Sequence, residues 1–193
     1  MALEVEARIL EVDVAALVAR LESTGALKYE DALFREVLWH LRPGDLTEYV
    51  RVRHDGHHVL ITHKMGVDGM SAQETEFGAD DYDAAVALFD RLGLERAMCR
   101  EKHRTSFRLQ DVAISIDRYP GIPALAEVEA GDPAAVEQAC IVLGLKFGAH
   151  FPGGLPAVYR HYGRELLPGA VIAFSDDERR AILEELGLAA IMR

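Results

Sequence analysis

The chain has few of the residues that build disulfide scaffolds and zinc sites. Its 193 residues include only two cysteines, Cys99 and Cys140, and their spacing matches no metal-binding motif. We therefore expect neither a disulfide framework nor a zinc site, and we interpret both thiols as core residues.

Long apolar runs and an excess of positive charge are also missing. No segment approaches the roughly 20 uninterrupted apolar residues that a membrane-spanning helix needs. The first residues carry acids where a secretory signal would carry bases, so we expect a cytoplasmic protein. With a formal net charge of −11, the molecule repels polyanions, which argues against nucleic acids and anionic membranes as partners. A phosphate ligand would then need a local basic pocket or metal ions.

The remaining composition is typical of a compact globular protein, with 50% hydrophobic and 27% charged residues. This length suits one main domain with a small appendage. We predict a main domain over residues 1–167 and a C-terminal helical appendage over residues 168–193.

Three segments share one pattern, in which a Glu-x-Glu sequence precedes an amphipathic helix; they begin at Glu4, Glu74 and Glu127. The helices are bounded by Asp13, Asp80 or Asp81, and Asp132 as N-caps, and by Gly25, Gly93 and Gly144 as C-terminal stops. The pattern predicts three helices that pack on a core.

Between these helices the hydrophobic pattern has a period of two, which is typical of strands. Two hairpins are predicted, with turns at Asp55-Gly56 and at Gln110-Asp111, and residues 34–41 form a further strand. We count about eight strands, a number that can close into a barrel. After Leu145, two short helices are predicted, over residues 157–167 and from Ser175 to about residue 186.

Six of these strands carry polar side chains two positions apart, which places them on one face of the strand. The groups are Glu4 with Glu6 and Arg8, Arg51 with Arg53, Thr62 with Lys64, Glu74 with Glu76, Lys102 with Arg104, and Glu127 with Glu129. The alternate positions are apolar: Val5, Val50, Val52, Ile61, Ile114, Ile116 and Val128. If helices cover the apolar side, the charged faces point inward; otherwise they face ordinary solvent. Clustered carboxylates suit Mg²⁺ or Mn²⁺ and the bases suit phosphate, so a metal-bound triphosphate matches both signs.

The order of these elements resembles the CYTH family of triphosphate tunnel metalloenzymes, which includes class IV adenylyl cyclases, thiamine triphosphatases and inorganic triphosphatases. The resemblance covers roughly residues 3–165. Its elements are Glu4-Val5-Glu6-Ala7-Arg8, Val50-Arg51-Val52-Arg53, Leu60-Ile61-Thr62-His63-Lys64, Glu74-Thr75-Glu76, Lys102-His103-Arg104, Asp117 and Ala126-Glu127-Val128-Glu129. In two places the chain departs from the family: Arg8 replaces a lysine, and residues 34–40 replace an Asp-x-Tyr-Phe type of sequence.

The resemblance implies an α+β fold, in which an eight-stranded antiparallel β-barrel with a charged interior forms the tunnel and helices flank it. It implies that Mg²⁺ or Mn²⁺ is held by Glu4, Glu6, Glu74, Glu76, Asp117, Glu127 and Glu129, with Asp117, Glu74 and Glu76 acting as direct ligands or supporting contacts. It implies phosphate binding by Arg8, Arg51, Arg53, Lys64, Lys102 and Arg104. The catalytic set is Glu4, Glu6, Arg8, Glu127 and Glu129.

The implied activity is cleavage of a phosphoanhydride bond in ATP, tripolyphosphate or thiamine triphosphate. The segment at residues 158–167 resembles the class IV adenylyl cyclase branch and favours conversion of ATP to cyclic AMP and diphosphate. The alternatives are hydrolysis of inorganic, nucleoside or thiamine triphosphate, and a noncatalytic polyphosphate or nucleotide sensor. The sequence leaves open whether the protein forms a homodimer.

Other conspicuous side chains are given structural interpretations. His54, His57, His58 and His63 fit no zinc motif, and we expect Trp39 to pack in the core. For Tyr159 and Tyr162 two interpretations stay open, a structural role and a position near the tunnel.

Overall fold

The structure is a computed structural model that describes residues 3–66 and 71–188, with Leu3 and Glu4 described by their backbone alone. The strands in these ranges are β1 (Leu3–Leu10), β2 (Leu27–Arg42), β3 (Asp45–His54), β4 (Val59–Gly66), β5 (Ser71–Ala79), β6 (Arg96–Leu109), β7 (Val112–Arg118), β8 (Leu125–Ala130) and β9 (Ala170–Ile172). The α-helices are α1 (Val14–Ser23), α2 (Tyr82–Arg91), α3 (Pro133–Leu143), α4 (Leu155–His161) and α5 (Asp176–Glu185), and a 3₁₀ turn spans Phe147–Ala149.

Strands β1 to β8 form a closed antiparallel barrel. Their order is β2-β3-β4-β5-β1-β8-β7-β6, and β6 pairs back onto β2 to complete the circle. The predicted eight-stranded barrel is therefore confirmed. Short β9 adds a parallel strand beside residues 98–100 of β6, on an edge that β7 does not reach.

The barrel extends beyond the predicted strand at residues 34–41, because β2 begins at Leu27. Residues 27–34 pair with residues 102–108 of the long β6. The sequence of this half of β2 shows no clear alternation of apolar and polar residues, because it contains Lys28, Glu30 and Asp31. Its hydrophobicity pattern therefore does not predict a strand, although its backbone pairs with β6.

The outer face of the barrel is apolar and carries the helices. One core joins β1, β6, β7 and β8 to α1 and α3, and Cys140 is buried within it. A second core joins β2, β3 and β4 to α2, and Cys99 packs against it. There the Trp39 ring lies 5.1 Å from that of Phe89 and its Nε1 donates to Asp90 at 3.0 Å. Because the helices occupy the apolar side, the charged positions of the strands face the interior.

The helix boundaries follow the local sequence. Asp13, Asp81 and Asp132 each accept a hydrogen bond from the backbone N–H three residues ahead, as N-caps do. Gly144 ends α3 at a φ of 72°, a left-handed conformation that glycine adopts without strain. These predicted caps are confirmed.

One end of the barrel carries an apolar cluster built around α4. Its buried members are Leu38, Ala97, Met98, Tyr119, Leu125, Leu155, Val158, Tyr159 and Ile172. The Tyr159 hydroxyl donates to the Pro120 carbonyl at 2.7 Å, which ties α4 to the barrel. Helix α4 covers only part of the predicted 157–167, because the chain turns at Gly163 with a φ of 71°.

The C-terminal segment packs on the outside of β6 and β7. Ser175 and Glu178 form the predicted capping box of α5. Arg179 of α5 contacts Glu101 at 2.9 Å, and Arg118 of β7 pairs with Glu185. The domain boundary after residue 167 stays a prediction. None of the described helices is long and apolar enough to cross a membrane.

Candidate active site

The barrel encloses a cavity of about 670 Å³ whose wall carries charges of both signs. All six predicted phosphate-binding bases line it: Arg8, Arg51, Arg53, Lys64, Lys102 and Arg104. Five of the predicted acids line it as well: Glu6, Glu74, Glu76, Glu127 and Glu129. The side chain of Glu4 lies outside the described residues. The structure thus brings together almost the whole set predicted from sequence.

Two neighbouring strands, β1 and β8, hold the central acids of the cavity. Glu6 lies directly opposite Glu129, and Arg8 lies opposite Glu127. Arg8 Nη2 donates to Glu6 Oε1 and to Glu127 Oε1, both at 2.6 Å, and its Nε donates to Glu127 Oε1 at 3.0 Å. Arg8 also donates through Nη1 to the Gly153 carbonyl, which links the acids to the segment before α4.

The acids on these strands differ in how readily they ionise. Burial, reinforced by the charge of Glu127, raises the pKa of Glu6 to about 7. Burial also opposes ionisation of Glu127, but the adjacent Arg8 and Arg104 outweigh it and hold the pKa of Glu127 well below its usual value. Glu127 therefore stays charged near neutral pH, while Glu6 holds its proton to a higher pH than an ordinary glutamate.

Strand β6 carries a row of bases held by a buried acid. Lys102 Nζ lies 3.1 Å from Asp117 Oδ2, while Arg104 binds both Asp117 oxygens, at 2.6 and 2.5 Å. Arg104 Nη2 also reaches Glu127 Oε2 at 2.6 Å. Burial and the charge of Arg104 lower the pKa of Lys102 to about 8. Asp117 is fully buried behind these bases, a position that suits a supporting contact; direct metal ligation by Asp117 stays a prediction.

The opposite wall, formed by β3, β4 and β5, repeats this arrangement of bases and acids. Lys64 Nζ lies 2.5 Å from Glu74 Oε1, and Arg53 Nη2 lies 3.6 Å from Glu76 Oε2. Thr62 donates to Glu76 Oε2 at 2.7 Å. The predicted pairs on these strands therefore share one face and contact one another across the sheet.

Two charged residues of the interior were missing from the sequence prediction. Arg100 lines the cavity and donates through Nε to Glu36, an acid buried in β2. Strand parity would have identified Arg100, because it precedes Lys102 by two positions. Glu36 lies on the same strand face as Leu38, which also lines the cavity. The residues two positions before and after Glu36 are apolar, so strand parity gave no polar pair that would have identified it.

The donor set fits a divalent cation by its chemistry. Glu6 and Glu129 supply hard oxygen ligands from directly opposed positions, and like charges in such positions repel. A cation would relieve the repulsion that contributes to the raised pKa of Glu6. Among the side chains that the structure describes, those of residues 5–66 and 71–188, no three of His, Cys, Asp or Glu converge in a metal-binding geometry. The metal ligands therefore stay a prediction.

The remaining conspicuous side chains lie away from the cavity wall. His63 contacts Glu48 at 3.1 Å and His58 contacts Asp55 at 3.3 Å. The Tyr162 hydroxyl lies 3.2 Å from Glu11, and Tyr159 belongs to the apolar cluster around α4. Both tyrosines therefore have structural contacts.

Comparisons with known proteins agree with this architecture. Residues 4–140 match the family model of the CYTH domain. No curated protein matches the chain. A conserved hypothetical protein from Pyrococcus furiosus is 21% identical, with 79% of this chain and 97% of that chain covered and a TM-score of 0.71. A protein from Vibrio parahaemolyticus, provisionally named an adenylate cyclase, is 15% identical, with 82% and 98% covered and a TM-score of 0.69.

A Hippeastrum protein shares the fold more distantly. It is 15% identical, with 87% of this chain and 98% of that chain covered and a TM-score of 0.55. It is provisionally named an adenylyl cyclase and described as having a dominant triphosphatase activity. At these identities the solved structures show a common fold.

Proposed function

We propose that this chain, which belongs to the CYTH family, is an enzyme that binds a metal-associated triphosphate in its barrel and cleaves a phosphoanhydride bond. The observation that carries the proposal is the composition of the cavity wall, which combines seven described bases with five described carboxylates. The bases suit a polyanion that spans several phosphoryl groups, and the carboxylates suit the cation that accompanies it.

The roles of the side chains follow from their places on the wall. Arg51, Arg53, Lys64, Lys102 and Arg104 bind the phosphoryl oxygens and stabilise the charge that develops as a bond breaks. Mg²⁺ or Mn²⁺, held by Glu4, Glu6, Glu127 and Glu129 with Glu74, Glu76 and Asp117 as ligands or supporting contacts, would neutralise phosphate charge and polarise the P–O bond. Arg8 orients Glu6 and Glu127 and cannot itself accept a proton near neutral pH.

Within this proposal we favour conversion of ATP to cyclic AMP and diphosphate. Cyclisation requires the 3′-oxygen to lie in line with the α-phosphorus, so the nucleoside must be held as well as the phosphates. Leu46, Tyr49 and Phe151 give the cavity an apolar and aromatic surface that suits a nucleoside. The name of the Vibrio parahaemolyticus protein agrees with this choice.

Hydrolysis of a triphosphate is the second candidate. At pH 7 Lys102, whose pKa is lowered to about 8, is mostly protonated, so it serves hydrolysis as a cation that binds phosphoryl oxygens. Water attack also makes no demand on the position of a nucleoside, so inorganic tripolyphosphate would serve as a substrate. The triphosphatase activity described for the Hippeastrum protein agrees with this candidate.

The test is phosphorus NMR of the products formed from ATP and from tripolyphosphate with Mg²⁺ or Mn²⁺. Cyclic AMP with diphosphate from ATP supports cyclisation, whereas orthophosphate, or AMP with diphosphate, supports hydrolysis. Glu129→Gln should lose the activity, while Glu137→Gln, the same change on the exposed surface of α3, should keep it. Binding without any product would show that the protein is a sensor and contradict the proposed enzyme.

A further inference from the structure

A chain of four polar side chains crosses the outside of the barrel from β2 to α5. Its members are Asp31 of β2, His103 of β6, Arg118 of β7 and Glu185 of α5. His103 lies directly opposite Arg118 in the paired strands and is 4% exposed. Its Nε2 lies 2.8 Å from Asp31 Oδ1, and its Nδ1 lies 2.9 Å from Arg118 Nε. Arg118 also pairs with Glu185, so a buried histidine stands behind the link between the barrel and the end of α5.

The contacts of His103 fix the protonation of its ring. A guanidinium group has only donors, so the Nδ1 atom must accept from Arg118 and carries no hydrogen. Nε2 then carries the single hydrogen of a neutral ring and donates it to Asp31. Asp31 stays charged, because its bonds to Lys28 and His103 outweigh burial and lower its pKa. Both nitrogens of the neutral ring therefore have partners.

Protonation of His103 is incompatible with one of these contacts. A second ring hydrogen would point from Nδ1 at the Arg118 donor, and two positive charges would meet in a buried place. Burial and the charge of Arg118 accordingly lower the pKa of His103 from its ordinary value of 6.5, although Asp31 acts in the opposite direction. The stability that depends on the neutral ring is fully present above pH 6.5, and it is lost as the pH falls through the lower pKa of the folded protein.

Helix α5 is the element that this loss affects. Two arginine–carboxylate contacts among the described residues hold its ends, Arg179 with Glu101 at 2.9 Å near its start and Glu185 with Arg118 in its last turn. Arg118 lowers the pKa of Glu185, so the second pair stays charged in mild acid. Ile182 is the one buried residue of the helix, whose docking therefore depends on these contacts.

We propose that His103 makes the docking of α5 sensitive to pH: the last turn of the helix is held on the barrel when the ring is neutral and detaches when the ring is protonated. The positive ring repels Arg118, which turns away from β6 and no longer places its other donors beside the barrel for Glu185. All four residues of the chain lie outside the cavity wall, so this inference goes beyond the proposed enzymatic activity and does not depend on it.

The experiment is hydrogen–deuterium exchange of the full chain at pH 5 and pH 8, corrected for the intrinsic pH dependence of exchange. Protection of the α5 amides should fall roughly tenfold or more at pH 5, because a charge-assisted hydrogen bond is lost, whereas protection of α3 in the core should not fall with it. His103→Gln keeps a donor and an acceptor and cannot be protonated, so its α5 should stay protected at both pH values. His161→Gln is the matched control, because this exposed histidine packs on Phe151 and Tyr162 and its loss should leave the pH response unchanged.

The ring of His103 gives a second measurement, because NMR follows its titration in the wild type. Its midpoint should coincide with the loss of α5 protection. The inference is overturned if the ring stays neutral down to pH 5, or if it titrates while α5 stays protected, which would show that Glu185 accepts from the protonated ring. A pH response retained in His103→Gln would assign the response to another group and is equally contrary.

A further variant covers the case in which His103→Gln fails to fold by circular dichroism. Arg118→Gln removes both the link to Glu185 and the charge that a protonated ring would repel. Protection of its α5 should therefore be low at pH 8 and unchanged at pH 5. A tenfold fall between the two pH values in this variant would overturn the inference, since the response would not pass through Arg118.

Discussion

Replacing Glu6 by glutamine should stabilise the metal-free protein at alkaline pH. The pKa of Glu6 rises from 4.5 to about 7 on folding, so between these values the folded protein holds a proton that the unfolded chain has released. Stability is then greatest below pH 4.5 and falls as the pH rises through 7. Glutamine keeps the size of the side chain and removes the ionisation.

The magnitude follows from the pKa difference. A rise from 4.5 to about 7 corresponds to roughly 3 kcal/mol lost above pH 7. The side chain of Glu6 is 24% exposed, so water in the cavity screens part of this cost. The variant also loses the contact with Arg8, although Arg8 keeps two hydrogen bonds to Glu127. We therefore expect a net gain of about 1–3 kcal/mol at pH 8 and much less at pH 5.

The assay is urea denaturation of wild type and Glu6→Gln at pH 5 and pH 8 in the presence of a chelator. Comparing the variant with wild type cancels the titration of groups that do not interact with Glu6. Glu74→Gln is a control of opposite sign, because Lys64 outweighs burial and lowers the pKa of Glu74, so its removal should destabilise the protein at pH 8. The reasoning is refuted if the stability difference between Glu6→Gln and wild type is the same at both pH values.

Two further predictions concern ligands. Glu6→Ala and Glu129→Ala should each reduce Mg²⁺- or Mn²⁺-dependent turnover by roughly 100-fold or more, with circular dichroism unchanged, because each removes a hard oxygen ligand; normal turnover in both would exclude the cavity as the active site. Arg53→Ala and Arg104→Ala should weaken triphosphate binding about tenfold and monophosphate binding far less, as calorimetry would show, because a row of bases contacts several phosphoryl groups. Equal losses for both ligands would make these arginines structural.

The features that the sequence predicted well depend on local geometry. Side chains two positions apart share a face of any strand, so parity alone placed Arg51 with Arg53 and Lys102 with Arg104 on one strand face each, and these faces line the cavity. Helix caps are equally local, since Asp132 needs only the N–H of Ala135. These predictions did not require knowledge of which strands pair.

The features that were missed depend on distant parts of the chain. Strand β9 is three residues long and forms because the cluster around α4 brings it beside residues 98–100. Helix α4 likewise begins at Leu155, a residue that this cluster buries. No periodicity over so few residues could identify either feature, because their stability comes from tertiary packing.

The register of the barrel explains why the interior tolerates so many charges. In the described strands, five inner pairings set an acid directly opposite a base: Arg8 with Glu127, Lys64 with Glu74, Arg104 with Asp117, and Glu36 with both Arg100 and Arg53. Glu6 and Glu129 break this rule, since two acids meet at one level. A single sequence does not reveal register between distant strands, so it could not show which acids balance bases and which face each other. Burial and the charges of Glu127 and Glu129 raise the pKa of Glu6 at this level, which is why we expect the metal and the pH dependence there.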